Sequence, residues 1–302
     1  MMPQARLEPL LLVLAPAAAA LLVAAAAIIL VLAKGSVDAL AQGGAGFLAS
    51  SEWSPSEEER GSYGVLAPLA GTLVVAGIAS AIAAYLAVAV AVYLYEYAPR
   101  RAREAVELSL YSMAALPTIV FGMWGLSTAA PIIRQSGLTL LCARGSPTGQ
   151  SFFTAGLVVG LMIAPYAAAI VSEAYRAVPF TYVEALHSLG ARGFERARVL
   201  LGMVKGSVLA AALLSFGRAV GETTVVALTV GSAVNMPLCP FEPGHTVSSL
   251  IASQFGNAYL YPGMESVLLT AALVMVLGSS ASTTLGLKLA RAAVRKAQGG
   301  EA

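Results

Sequence analysis

Six stretches of this chain are long and apolar enough to cross a lipid bilayer, and that constrains its fold more than any other feature. A membrane-spanning helix needs about 20 mainly apolar residues. Runs that meet this length fall at about 10–33, 66–95, 108–133, 152–175, 207–234 and 264–287. The composition agrees: hydrophobic types make up 58% of the 302 residues, charged types 11%, and the mean hydropathy is +0.79. A soluble domain carries about 25% charged residues, so the missing polar surface must face lipid. A disordered chain, a collagen-like chain and a secreted disulfide scaffold are excluded. Nucleic acid is excluded too, because the net charge is only +2 and no basic run interleaves with aromatics. The chain reads as an all-α integral membrane protein. Its first run follows Arg6 but exceeds the about 7–15 apolar residues of a signal-peptide core, so it is expected to remain as an anchor.

Basic residues set the expected orientation, since cytoplasmic loops hold the excess of Lys and Arg. Thirteen lie on one side: Arg6, Arg100, Arg101, Arg103, Arg176, Arg192, Arg196, Arg198, Lys205, Lys288, Arg291, Arg295 and Lys296. Four lie on the other, Lys34, Arg60, Arg134 and Arg144, while Arg218 falls inside a span. Both termini are therefore expected in the cytoplasm of a multi-pass plasma-membrane protein. The first external loop, 34–65, is acidic, with Asp38, Glu52 and the run Glu57-Glu58-Glu59, and reads as a solvated loop. Trp53 and Tyr63 in it are expected at headgroup level. Cys142 and Cys239 fall in connections assigned to the outside, where a disulfide between them is permitted. His187 and His245 have no second ligand at metal spacing and are expected at the surface; no metal site is read.

Arg218 and Glu222 are intramembrane charges, which cost about 2.5–3.5 kcal/mol each near the bilayer centre and by default mark function. At spacing i, i+4 they are expected on one face of the fifth span, close to its midpoint. Two readings stand. The pair is either a packing device, or it lines a path in which Arg218 meets an oxyanion with its planar fork and Glu222 holds or releases the Arg. Gly217 and Gly221 form a small-xxx-small pair that admits a close neighbour. Pro117 and Pro165 can each kink a span.

Between the fourth and fifth spans, Pro179 ends a helix, and Thr181 with Glu184 offers a capping box for a short one. Tyr182, Leu186 and Leu189 share its face, and Gly190 supplies a stop. The basic segment that follows, with Arg192, Arg196 and Arg198, suits anionic headgroups, whereas the short helix suits a protein partner.

Glu184-Ala185-Leu186, with Gly190 four residues beyond, resembles the EAA loop of binding-protein-dependent ABC importer permeases. It departs from that pattern at Leu186, usually Ala, and at Gly202-Met203, where Leu-Pro is usual. Further segments are similar to phosphate-specific permeases of the PstC type. They are Phe47-Leu48 with Glu52-Trp53 and Pro55, Glu96-Tyr97-Ala98-Pro99-Arg100, Leu116-Pro117-Thr118-Ile119-Val120-Phe121-Gly122-Met123-Trp124-Gly125, and Arg218-Ala219-Val220-Gly221-Glu222-Thr223. The resemblance covers about 45–290.

It implies a six-helix type I ABC importer permease with a cytoplasmic coupling helix. The domains would be 1–65 (anchor helix and acidic loop), 66–290 (permease domain) and 291–302 (cytoplasmic tail). It implies alternating-access import of inorganic phosphate, with Arg218, Gly221, Glu222 and Thr223 on the substrate path. Glu184, Ala185, Leu186, Leu189 and Gly190 would couple to the ATPase. The implied partners are ATPase subunits carrying ATP and Mg, a second permease subunit of the PstA type, an external phosphate-binding protein and membrane lipid. None of the four lysines is followed by Ser or Thr, so the chain has no Walker A motif and ATP must be hydrolysed elsewhere. An ion-coupled secondary anion transporter using Glu222 is the alternative, for which inverted repeats would be expected but none is found. An intramembrane enzyme lacks a metal set or a nucleophile with a base.

Overall fold

The computed structural model of the chain describes residues 7–43, 46–55 and 61–298. The acidic run at 57–59, Arg6 and Arg60 lie outside the described residues, as does the end of the tail at 299–302. Among the described residues, five helices are each long and apolar enough to cross a membrane, and a sharply bent helix pair makes six if it is counted as one span.

α1 (Leu7–Gly43) is exposed over most of its described length, with Leu21, Leu22, Val23 and Val31 turned outward. It packs on α12 (Met264–Gln298) where Gly35 lies against the Leu269 side chain. The helix runs about ten residues past the expected end of the first span. Lys34 and Asp38, expected in a loop, are therefore helical: no proline interrupts the segment there, and Ser36 Oγ donates back to the Leu32 carbonyl. α2 (Gly46–Ala49) follows, then a short antiparallel pair, β1 (Trp53–Ser54) with β2 (Ser62–Tyr63). The Trp53 and Tyr63 rings meet edge to face at 5.5 Å and pack into a cluster with Val65, Val247, Leu250 and Met264. Tyr63 is buried in protein rather than placed among headgroups, because the hairpin folds it inward.

The bundle centre is α3 (Leu66–Val92) crossed by α7 (Phe152–Arg176). Ala76, Ala79, Ala83, Ala87 and Ala91 recur every three or four residues on α3 and are fully buried. Opposite them, a Cβ on Gly156 would come within 2.7 Å of Ile78, and one on Gly160 within 3.0 Å of the Ala79 carbonyl. Hydrocarbon gives no hydrophobic reason for helices to associate, so small residues that bring backbones together carry this contact. α3 ends in a π-helical turn, Tyr93–Tyr97.

The expected third span, 108–133, is two helices. α4 (Arg100–Ala114) and the run Thr118–Gln135 meet at 95° across Leu116-Pro117. Pro117 lacks an N–H and disfavours helical backbone at the residue before it, so the break sits there. Beyond it, α5 (Thr118–Trp124) continues through a π-helical turn at Gly125–Ala129 into α6 (Ala130–Gln135). Pro165, in contrast, lies within an unbroken α7.

α8 (Phe180–Ser188) is a short surface helix, and α9 (Gly193–Val220) follows it. α9 packs on α12, where Ser279 Oγ and Ser282 Oγ donate to the carbonyls of Gly217 and Leu213 at 2.8 and 3.0 Å. α10 (Thr224–Thr229) and α11 (Val247–Gln254) complete the core side. At the end of the bundle opposite α8, Cys142 and Cys239 are joined with their Cα atoms 5.9 Å apart. Phe152 N and Phe153 N donate to the carbonyls of Glu242 and Pro240, lacing the same two connections together.

Candidate functional site

The fifth span does not run from 207 to 234. It begins at Gly193 and ends at Val220, with Gly221 as its C-cap. Arg218 is therefore in the last turn of α9, while Glu222 lies beyond the helix, and the expectation that they share one helix face is overturned. Glu222 Oε1 instead accepts from Val225 N at 3.2 Å, within the first turn of α10, and its own carbonyl accepts from Ser248 Oγ at 2.8 Å. These bonds satisfy backbone groups that the break releases, which is why two charges four residues apart do not form a pair. Among the described residues, no ion pair joins Arg218 to Glu222.

The Arg218 side chain is exposed in this chain and lies over the Tyr166 ring, with Cζ 5.7 Å from the ring centroid. Tyr166 is near the middle of α7, about 15 Å from Arg176 at that helix's end by helical rise. Arg218 thus lies at mid-depth of the bundle. It forms the deep end of a cavity of about 360 Å³ that runs toward the α8 end of the molecule. Met162, Pro165 and Tyr166 line its upper part, and Tyr95, Glu107, Glu173 and Arg176 its lower part. Gly221 and Thr223 line a separate cavity with Ser248, Ile251, Met275 and Ser279. The four expected path residues are thus divided: Arg218 faces one cavity, Gly221 and Thr223 another, and Glu222 shapes the bend between them. Of the small-residue pair, Gly217 does admit a neighbour, since a Cβ there would lie 2.6 Å from Thr283 Oγ1. Gly221 has no such close neighbour from another helix.

α8 begins at Phe180, with Pro179 before it and no side-chain cap, so Thr181 lies inside the helix rather than capping it. Proline in extended backbone pre-empts the start by one residue. The other end follows the sequence: Leu189 is the C-cap, Gly190 has φ +73°, and Gly190 N and Ala191 N donate to the carbonyls of His187 and Leu186. That is the Schellman pattern, in which a left-handed residue favours glycine. Glu184, Ala185 and Leu189 are exposed, whereas Val183 and Leu186 pack beneath α8 against Tyr175, Leu200 and Val204. The basic segment expected as a separate headgroup-facing helix is the start of α9, opened by Glu195 Oε2 accepting from Arg192 N at 2.8 Å.

Beneath α8 is a polar cluster that sequence reasoning missed. Arg196 Nη2 and Nε approach Glu96 Oε2 at 2.8 and 2.9 Å, and Tyr175 Oη donates to Glu96 Oε1 at 2.7 Å. Arg196 Nη1 lies 2.7 Å from His187 Nε2, while His187 Nδ1 lies 2.8 Å from the Val183 carbonyl. A carbonyl only accepts, so Nδ1 carries the proton and Nε2 accepts from the arginine. The available signal was a lone acid closing a 30-residue apolar run. His245, expected at the surface, is buried with Nδ1 3.2 Å from Ser249 Oγ, because the turn into α11 folds it under the bundle; burial lowers its pKa to about 4. Among the described residues no three His, Cys, Asp or Glu side chains are grouped to hold a metal ion.

The family described as "Binding-protein-dependent transport system inner membrane component" matches residues 87–295. The chain is 37% identical over 250 residues to a probable phosphate transport system permease protein PstC of Methanocaldococcus jannaschii, covering 80% of this chain and 79% of that relative. It is 32% identical over 238 residues to the PstC of Haemophilus influenzae, covering 74% of each. A PstC 2 of Mycobacterium tuberculosis is 33% identical over 231 residues, covering 72% of this chain and 71% of that one.

Proposed function

The chain belongs to the family of binding-protein-dependent transport system inner membrane components, and from that premise we infer that it is the permease subunit of an ATP-driven importer of inorganic phosphate. It is a transport subunit and not an enzyme. The observation that carries the substrate reading is the cavity that starts at the α8 end and stops at Arg218, a fixed cation at mid-depth. A guanidinium presents a planar fork of donors to a tetrahedral oxyanion and stays charged at any physiological pH.

Import by alternating access is in keeping with that placement. A second permease subunit of the PstA type closes the open side of the cavity. An external binding protein delivers phosphate at the disulfide end, and ATPase subunits carrying ATP and Mg dock on Glu184, Ala185, Leu186, Leu189 and Gly190. Both termini are then cytoplasmic, which agrees with the basic excess near α8, and residues 66–290 form the permease domain. Gly221, Glu222 and Thr223 act as the bend that presents Arg218, with Glu222 holding α10 rather than neutralising the arginine.

Two measurements test this reading. In proteoliposomes with the cognate ATPase and binding protein, Arg218→Ala should abolish phosphate uptake without loss of assembly; full uptake would make the arginine a packing group. A Glu184→Lys/Gly190→Arg variant should lose the ATPase on purification, and unchanged co-purification would reject α8 as the docking element. Competition by sulfate and arsenate then tests which oxyanions the path accepts.

A further inference from the structure

We propose that Glu96 is a positioning residue for transport: it ties the orientation of the docking helix to the mouth of the anion cavity. The inference rests on the reading of α8 as the ATPase-docking element and of the Arg218 cavity as the phosphate path.

The side chain of Glu96 is 5% exposed and that of Arg196 17%. Ionised groups removed from water to this degree are costly, and apolar residues of similar volume usually hold a fold as well. What the charged arrangement adds is direction. Glu96 is on the π-helical turn at the end of α3, and its two oxygens divide their bonds between α7, through Tyr175, and α9, through Arg196. Arg196 passes the contact on to His187 in α8. The apolar contact of Val183 and Leu186 with Tyr175 and Leu200 also holds α8 on the bundle, but it is non-directional and tolerates sliding. Among the described residues, the side-chain hydrogen bond that reaches α8 from the bundle is the one from Arg196 to His187, and its direction helps to set how α8 is turned.

The same turn reaches the cavity on its other side. Tyr95, adjacent to Glu96, lines the cavity, stacks on Tyr175 at 5.6 Å, and carries the Arg103 guanidinium 5.1 Å from its ring centroid. Arg103 Nε donates to the Leu94 carbonyl at 2.9 Å, which joins α4 to the turn. Movement of α8 therefore pulls on Arg196 and Glu96 and reaches Tyr95 without crossing the bundle. A π-helical turn is a suitable element to respond, since such turns interrupt the regular hydrogen-bond ladder and recur at functional sites. Coupling between sites needs an element of this kind that both sites bias.

The test is the ratio of phosphate imported to ATP hydrolysed by the complete transporter in proteoliposomes. Glu96→Gln keeps the size and one acceptor but removes the charge that holds Arg196. It should co-purify with the ATPase, hydrolyse ATP within about twofold of the native rate, and import about tenfold less phosphate per ATP. Arg196→Lys, a point charge without the fork, and Tyr175→Phe should each lower the ratio less. An unchanged ratio in Glu96→Gln overturns the proposal, as does a proportional fall of uptake and hydrolysis, which a merely structural group would produce. If Glu96→Gln fails to assemble, the ratio in Arg196→Lys and Tyr175→Phe decides in the same way. Failure of the docking reading is seen separately, because the Glu184→Lys/Gly190→Arg variant would then keep its ATPase whatever Glu96 does.

Discussion

At the scale of single residues, the environment of Arg218 sets what it can do. Glu222, four residues on, is spent on the α10 backbone, which leaves the guanidinium against the face of Tyr166 and open to the cavity. A cation over an aromatic ring gains about 0.5–2 kcal/mol, enough to aim the fork and weak enough to yield to the oxyanion of the proposed path. Tyr166→Ala should therefore lower uptake by about 3- to 30-fold. Tyr166→Phe, which keeps the ring, should stay near native in the same uptake assay. His245 makes a separate prediction. Its pKa is lowered from 6.5 to about 4 by burial, so between those values the unfolded chain binds a proton that the folded chain does not. Stability is then highest above pH 6.5 and falls as the pH drops toward 4, by at most about 1.4 kcal/mol per unit. Thermal unfolding in detergent between pH 7 and 5 should show this slope, and His245→Gln should flatten it.

At the scale of helices, the alanine stripe of α3 and the two glycines of α7 explain a tight central crossing that hydropathy alone cannot specify. Gly156→Val would press against Ile78 and should cost about 1–3 kcal/mol, as overpacking does, seen as a lower unfolding temperature of the purified protein. Helix ends were less legible than helix existence. Apolar runs report where lipid can be faced, but a helix continues through Lys34 because nothing stops it, and α9 begins at Gly193 well ahead of its apolar stretch. At Leu116-Pro117 the chemistry of proline was readable, yet the size of the bend follows from how α4 lies against α7. Gly190 was legible because its left-handed backbone is a local requirement.

At the scale of the molecule, two ends are held in different ways. The end opposite α8 is cross-linked: Cys142–Cys239 joins residues 97 apart in sequence and reinforces hydrogen bonds between the same connections. Replacing both cysteines by serine should lower stability by about 2–4 kcal/mol. The native chain should change gel mobility on reduction, and the double variant should not. The α8 end is held by the Glu96–Arg196 pair and its hydrogen bonds, which can be re-formed as elements move. A rigid end and an adjustable end suit the proposed docking of the ATPase at α8, in which energy enters at the adjustable end. The exposed α1 face and the open side of the cavity are the surfaces that the proposed assembly assigns to lipid and to a second subunit.

Length and apolar patterning were sufficient to establish a multi-pass helical membrane chain, because a bilayer imposes its thickness and its hydrophobicity on every segment that crosses it. A local motif was sufficient to place the stop of α8 at Gly190, whereas the cap expected at Thr181 gives way to Pro179. Which charges meet was decided only by packing. Arg218 and Glu222 are close in sequence and part at a helix end, whereas Glu96 and Arg196, separated by 100 positions, meet beneath α8. Electrostatic partners are chosen by distance in space and by the backbone groups competing for each carboxylate, and neither is written in the spacing of residues along the chain.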